Sequence, residues 1–584
     1  MKFYRLILAC FCLFFCGCGP YYHDYSEKSG FEQTEVDSMM LENLEVLGRV
    51  WGYVKYHHPI FTDNHYDPDA ELFELLPRIA KATSTERNRI LSAWIAHFGS
   101  YDTTPERYES IASDPKRIEF HTDISWIRDT ERLGKDLSAH LIRLRVADRK
   151  WNYYALQWMR EGWAHNPQFH NEKGYPNIES PDYGYRLLAV FRFWNMVEYF
   201  FPTKYLIDKN WNDVLKEYIL RMAAPEDGDY RKEAWRMIAE LHDNHAQGNL
   251  FWLTGNFRIP LDVGFVEDRL VVLSPDTLPL LWSERKVPFR PGDEIIEVGR
   301  EPVKNYITRT RTFVPCSHEA DVLRFTADAI MRTPKNTLLP IRYCRGGVLR
   351  DTLAAVEPEG GKYLKLVERR RRSDYRLLNE NIAYIYPAGY AQTDSIVVEK
   401  ILSKSEGLII DMRCYPPHDF RTFIAKHILP EKPECNMANT YPVIALPGIF
   451  HRETIAQIGR PYKKYDKPIV LLVNETTQSM AEYFVQAMQN NHRVQVIGSK
   501  TAGANGNVSE FLLPGGIKSR FSGLGWYYAD GTPVQRQGVK IDHEIKPSVE
   551  GIAAGRDEVL EFAIRTINSC LLYTSPSPRD TERS

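Results

Sequence analysis

The sequence predicts a multidomain α/β protein, with helical N-terminal units, then a β-rich module, then an α/β core. Three observations predict it. A chain of 584 residues is too long for one hydrophobic core, so three or four domains are expected. Apolar residues follow a helical period over residues 37–250, and from about Ile259 they break into short alternating runs (LDVGFV, RLVVLS, EIIEVG, LLPIRYC). From about Leu377 strand-like and helix-like segments alternate, the pattern of a sheet covered by helices. The composition, 43% hydrophobic and 26% charged, is that of a globular protein. A net charge of −2 gives no basis for nucleic-acid binding.

At the N-terminus Lys2 and Arg5 flank LILACFCLFF, which leads into Cys16-Gly17-Cys18. Such a run is too short to span a bilayer but suits a signal-peptide core. Small residues before a cysteine are similar to a bacterial lipoprotein signal, with Cys18 as the lipidated residue. Residues 1–18 then form the signal and 19–36 a polar tether. No other segment approaches transmembrane length, so the expected protein is exported, lipid-anchored in the cell envelope on its periplasmic or cell-surface face, and otherwise soluble.

The helical region contains a duplication. RVWGYVKYHHP at 49–59 matches RFWNMVEYFFP at 192–202, and the same offset of 143 aligns Ile95-Ala96 with Ile238-Ala239. Two related units follow, residues 37–180 (with short strand-like runs) and 181–252, whose aromatics at helical spacing read as core. The second unit ends in Leu241-His242-Asp243-Asn244-His245; the first has Asp102 where the second has His245.

Residues 253–360 centre on PFRPGDEIIEVGREPV, a Pro-Gly-Asp turn feeding an apolar strand, then a Gly-centred turn. That order resembles the PDZ domain, which receives an extended peptide by strand addition. Four arginines at 369–372 read as a solvated linker. The α/β core spans 375–569: IAYIYPAGY, a helix near 394–404, GLIIDMR, PIVLLVN, a helix from about Met480, VQVIG, turn-rich GWYYADGTPVQRQGV, and a helix near 557–566. Residues 570–584 show neither periodicity nor a cap and read as a non-native tail. Cys316, Cys344, Cys414 and Cys435 are scattered without a metal spacing.

Ser479 stands where the polar turn after PIVLLVN becomes a helix. There a hydroxyl can face a substrate while the first helical N–H groups stabilise an oxyanion. Ser479-Met480-Ala481-Glu482 equally fits a capping box, in which the serine accepts from a backbone N–H and the glutamate reaches back. A Glu482 that points away from the turn would leave the serine oxygen free. Further motifs bear on the choice: Val473-Asn474-Glu475, Asp411-Met412-Arg413, Gly498-Ser499-Lys500-Thr501-Ala502-Gly503 and Val534-Gln535-Arg536-Gln537-Gly538-Val539. Together they resemble the tail-specific or C-terminal processing serine peptidases, which include a tricorn-core-like branch. The resemblance covers most of residues 190–568.

The resemblance implies a core of the tail-specific protease type with Ser479 as nucleophile. One branch of that family places a lysine base 25 residues beyond the serine, where this chain has Ala504. The tricorn-like branch takes a histidine from the helical region and an acid from the late turn-strand. That implies His245 as base and Gln535 as the group that orients it, an amide where a carboxylate is usual; Asp530 and Asp542 are nearby substitutes. Lys500 is the alternative base, on condition of burial. The oxyanion hole would combine the Met480 N–H with a backbone donor at Cys414 or Tyr415, ahead of Pro416-Pro417. His242 and His245 lack the adjoining glutamate of a zinc motif, so no metal is expected.

The expectation is a serine-type peptidase that cleaves peptide or protein substrates through an acyl-enzyme on Ser479, with no metal or organic cofactor and membrane contact through the lipid anchor only. The alternative is a catalytically impaired peptidase-fold lipoprotein that binds peptides or envelope partners. The missing lysine and Gln535 favour it.

Overall fold

The computed structural model describes residues 23–115, 118–157, 165–248, 251–273, 288–359, 373–432, 437–455, 459–460, 462 and 464–574. Cys18, the arginine run at 369–372 and Cys435 lie outside them.

The helix Ser38–His57 starts at Asp37, whose carboxylate accepts from the Met40 N–H; the helix Tyr183–Phe200 starts at Asp182, which accepts from the Tyr185 N–H. Each is followed by two more helices, Pro68–Ile79 and Ser84–His97 in one unit, Trp211–Ala223 and Tyr230–Ala239 in the other. The duplication extends to single hydrogen bonds. Trp51 Nε1 donates to Pro68 O and Trp194 Nε1 to Trp211 O, both at 2.7 Å and both spanning 17 residues. The two leading helices approach closely at Gly52, where a Cβ would lie 1.9 Å from Asn195 Cγ. Trp51, Tyr53, Tyr56, Trp194, Tyr199 and Phe200 are at most 1% exposed, as their helical spacing requires.

Packing crosses the boundaries drawn on the sequence. The strand Ile118–His121 joins Ile449–Ile455, Met437–Pro442 and Gly525–Tyr527 in one four-stranded sheet. The hairpin Val508–Leu513 with Ile517–Ser522 sends Phe511, Leu513, Ile517 and Phe521 into the helical core. Helical units and α/β core therefore share one apolar interior, where the sequence pattern suggested separate units ending at 180 and 252.

In the β-rich module, Val263–Val266, Arg269–Val272, Glu294–Val298, Leu338–Arg345 and Val348–Ala355 pair antiparallel in that order. Ile330, in the helix Glu319–Ile330, joins Leu270, Val272, Ile295 and Ile341 in a separate small core. A second helix, Val303–Phe313, precedes it.

The central sheet has the order Asp374–Leu378, Ile382–Tyr386, Gly407–Asp411, Ile469–Val473, Val494–Gly498, His543–Glu544; the first pair is antiparallel and the rest are parallel. GLIID and IVLLV are buried along their whole length, as central parallel strands must be when helices cover both faces. Ser395–Leu402, Phe420–His427 and Met480–Met488 cover one face and Glu558–Thr574 the other. That last helix corrects the reading of residue 570 as the start of a patternless tail: it runs on to Thr574, with Leu571 packed against the sheet. At the carboxyl edge of the sheet, the turns leaving three neighbouring strands carry the motif residues, the usual place for a site in such a fold.

Candidate active site

Ser479 lies between the strand Ile469–Val473 and the helix Met480–Met488, with backbone angles φ 58° and ψ −115°. That conformation costs a non-glycine residue about 1–3 kcal/mol. It is not the extended backbone of an ordinary N-cap, and the serine oxygen makes no cap hydrogen bond. A strained strand-to-helix turn is how a nucleophile elbow lifts its hydroxyl clear of the backbone.

Neighbouring bonds hold the strain. Thr477 Oγ1 donates to Met412 O at 2.8 Å and accepts from the Asn474 N–H at 3.1 Å. The Ala502 N–H donates to Thr477 O at 3.0 Å, and the Ser479 N–H is shared between Ala504 O at 3.1 Å and Glu482 Oε2 at 3.3 Å. At about 0.5–1.5 kcal/mol each, a handful of such bonds outweighs one strained residue.

Glu482 is fully buried and does not point away from the turn. Besides the Ser479 N–H, it accepts from Thr501 Oγ1 at 2.6 Å, the Gly503 N–H at 2.7 Å and the Ala504 N–H at 3.0 Å. The serine is freed in another way than expected: the glutamate stitches the 501–504 loop to the helix and leaves the hydroxyl uncommitted. Burial pushes the Glu482 carboxyl up to about 7, against the pull of these donors.

His245 is buried in the short helical turn Asn244–Ala246. Its Nδ1 lies 2.8 Å from Ser522 Oγ. Ser522 Oγ in turn donates to Asp243 Oδ1 at 3.0 Å, and the Ser522 N–H donates to Asp243 Oδ2 at 2.6 Å. An ionised carboxylate only accepts, so the single Ser522 proton points to Asp243 and Ser522 accepts from His245. The network thus assigns the proton to Nδ1 and leaves the Nε2 lone pair available as a base. Burial lowers the pKa of His245, more than the Asp243 charge raises it.

Both residues are tied to one loop: Asn244 Nδ2 donates to Ala502 O at 2.8 Å, two residues from the Ala504 carbonyl that receives the Ser479 N–H. Among the described residues the Ser479 hydroxyl makes no hydrogen bond to the imidazole. Catalytic hydrogen bonds are often long before substrate binds.

Other expectations need correction. Gln535 is buried, but among the described residues neither its Nε2 nor its Oε1 has a hydrogen-bond partner, so it does not orient His245 here; Ser522 does. The adjacent Arg536 N–H donates to Gly503 O at 2.7 Å, which still seats Gln535 beside the loop. Asp530 is bound to Lys540, and Asp542 accepts from the Val496 N–H, so neither replaces it. Lys500 is exposed and lacks the desolvation a lysine base requires. Tyr415 is 58% exposed, four residues beyond the end of the strand Gly407–Asp411. His242 faces Asp208 at 3.2 Å, away from the Ser522 network. Asp243 and Ser522 went unread: Asp243 stands beside the histidine in sequence, but nothing in an alternating strand marks which hydroxyl meets it.

Residues 319–545 match peptidase family S41. A carboxyl-terminal-processing protease of Picosynechococcus sp. is 41% identical over 69 residues, 12% of this chain and 16% of that protein. An uncharacterized protein of Chlamydia muridarum is 43% identical over 61 residues, 10% of each chain. The chain thus aligns with no more than 16% of the length of these curated relatives. A crystal structure of a CPAF mutant matches 68% of this chain and 99% of that one, with a TM-score of 0.51 at 13% identity, a likeness of fold.

Proposed function

We propose that the protein is a serine endopeptidase working through an acyl-enzyme on Ser479. The observation that carries this reading is the strained, uncapped serine held on the same loop as a histidine in its basic tautomer. Ser479 Oγ attacks the scissile carbonyl and His245 Nε2 takes its proton. Asp243, acting through Ser522, keeps the Nδ1 proton in place and stabilises the imidazolium. The Met480 N–H, with a backbone N–H at Cys414 or Tyr415, receives the oxyanion. The protonated His245 then releases the amine, and water hydrolyses the ester. Peptides or proteins are the substrates.

A fluorophosphonate probe tests the assignment. Labelling of the wild type that vanishes in Ser479→Ala supports it; a wild type that stays unlabelled across pH 5–9 overturns it. The second reading, an impaired peptide-binding relative, draws on Ala504 and the unpartnered Gln535 amide. It predicts that unlabelled outcome with peptide binding intact. Envelope location belongs to the same proposal and rests on the N-terminal pattern ending at Cys18. Palmitate incorporation in a bacterial host, lost in Cys18→Ser, is its check.

A further inference from the structure

A cavity of about 1050 Å³ opens between the second helical unit, the two helices of the β-rich module and the hairpin of the core. It is large enough for several residues of a peptide. Six cationic side chains line it against two carboxylates, Asp328 and Glu510. Three of the six are held by acids: Arg309 by Glu301, Arg332 by Asp328 and Glu359, Lys518 by Glu510. Arg231, Arg324 and Arg520 form no salt bridge with a carboxylate among the described residues, although the charges of Asp321 and Glu510 act on Arg324 and Arg520 from a distance.

The remaining lining mixes aromatic, aliphatic and hydroxyl side chains, among them Trp235, Trp252, Leu253 and Thr310. Trp235 and Trp252 stack with centroids 6.5 Å apart and planes 17° apart, and Trp252 Nε1 is a buried donor with no acceptor among the described residues. The cavity also borders both halves of the candidate active site. Arg324 donates to Gln478 Oε1 at 2.6 Å, one residue before Ser479, and Arg520 Nε donates to His245 O at 3.1 Å.

We propose that this cavity is a recognition subsite for acidic side chains of the peptide substrate, an inference that rests on the peptidase reading above. Cationic donors outnumber the lining carboxylates here, six to two. A carboxylate is acceptor-only and matches the guanidinium fork in two parallel hydrogen bonds, while its aliphatic stem packs on an indole. The subsite selects Asp or Glu residues in the chain, not the terminal carboxylate. It gives the enzyme a preference for acidic stretches of substrate near the bond it cleaves.

Binding to full-length Ser479→Ala and turnover by the wild type separate this inference from the peptidase reading. The probes are a C-terminally amidated peptide with internal glutamates, its glutamine counterpart, and a neutral peptide with a free C-terminus. The glutamate peptide should bind about tenfold or more tightly than the glutamine one, as expected for charge-assisted hydrogen bonds. The difference should shrink as salt rises. Arg231→Glu, at an exposed position of the cavity lining, should lose most of that preference in the binding of the glutamate over the glutamine peptide. Equal binding of the glutamate and glutamine peptides, or a preference that follows the free C-terminus, overturns the subsite. Selective binding of the glutamate peptide by Ser479→Ala with no cleavage of any peptide by the wild type leaves the subsite standing and overturns the peptidase reading.

Discussion

The two helical units share three helices in the same order, an aspartate N-cap and the same tryptophan hydrogen bond across 17 residues, yet they serve different ends. Where the second unit turns into the loop with buried His245, the first places exposed Asp102, whose carbonyl receives the Asp148 N–H. Equivalent arginines also part. Arg49 stacks on Trp126 at 4.6 Å, whereas Arg192 is buried between Asp69 at 2.7 Å and Glu172 at 2.9 Å, and Glu172 also binds Lys55 at 2.7 Å. A duplicated scaffold conserves its own packing; what each copy does depends on what it packs against.

The comparison breaks most directly at its catalytic end. His245→Ala should lower kcat by on the order of a thousandfold or more, together with the moderate fall in unfolding midpoint expected when a buried, hydrogen-bonded ring is removed. Asp102→Ala, at the equivalent position, should leave both unchanged. A small kcat effect in His245→Ala, or a large one in Asp102→Ala, would remove the functional distinction between the units. The lowered pKa of His245 adds a pH test: kcat/KM should rise with pH through one ionisation below 6.5 and be flat near neutrality, since only the neutral imidazole accepts a proton.

The opposite split is expected in the buried ion network shared by the two units. Glu172→Gln removes the ion-pair partner of buried Lys55, while Arg192 keeps Asp69, and leaving such a buried cation without its partner costs about 3–5 kcal/mol. Denaturant unfolding should register this loss, while kcat of the folded fraction stays at the wild-type level. A fall in kcat without a fall in stability would mean that this network, too, is coupled to the site.

Much of this was legible in the sequence, for identifiable reasons. The repeat was visible because Arg, Trp, Val, Tyr and Pro keep their register, and the central strands because GLIID and IVLLV are unbroken apolar runs between turns. Ser479 could be singled out from its place before a helix, but its φ of 58° could not, since backbone strain leaves no mark in residue type. The shared interior of units and core was hidden for a similar reason. Phe511 and Phe521 alternate like any half-buried strand residues, and alternation does not name the partner face. Ser522 belongs to the same strand and was missed on the same account.

Ser522 therefore gives the sharper, smaller catalytic test. Ser522→Ala removes the acceptor for Nδ1–H but leaves Asp243 only 3.9 Å away, so kcat should fall by roughly ten- to a hundredfold, the range seen when an orienting partner is lost. Asp243→Asn removes the negative charge that raises the pKa of His245, so the acidic limb of the pH profile should move to lower pH. A role confined to structure would lower stability without moving that limb.

The smallest expected effect tests the symmetry itself. Trp51→Phe and Trp194→Phe each remove one buried N–H while keeping most of the ring volume. Each removes one hydrogen bond to a carbonyl in the first turn of a helix, which keeps its intrahelical bond, so each should cost about 1 kcal/mol. The repeat demands that the two losses agree within the usual scatter of about 0.5 kcal/mol for comparable sites, and that the double variant show their sum, because the bonds share no partner. Unequal costs would mean that proximity to the catalytic loop has already altered the second unit's core, so that divergence reaches beyond His245 into the packing that the duplication otherwise keeps alike.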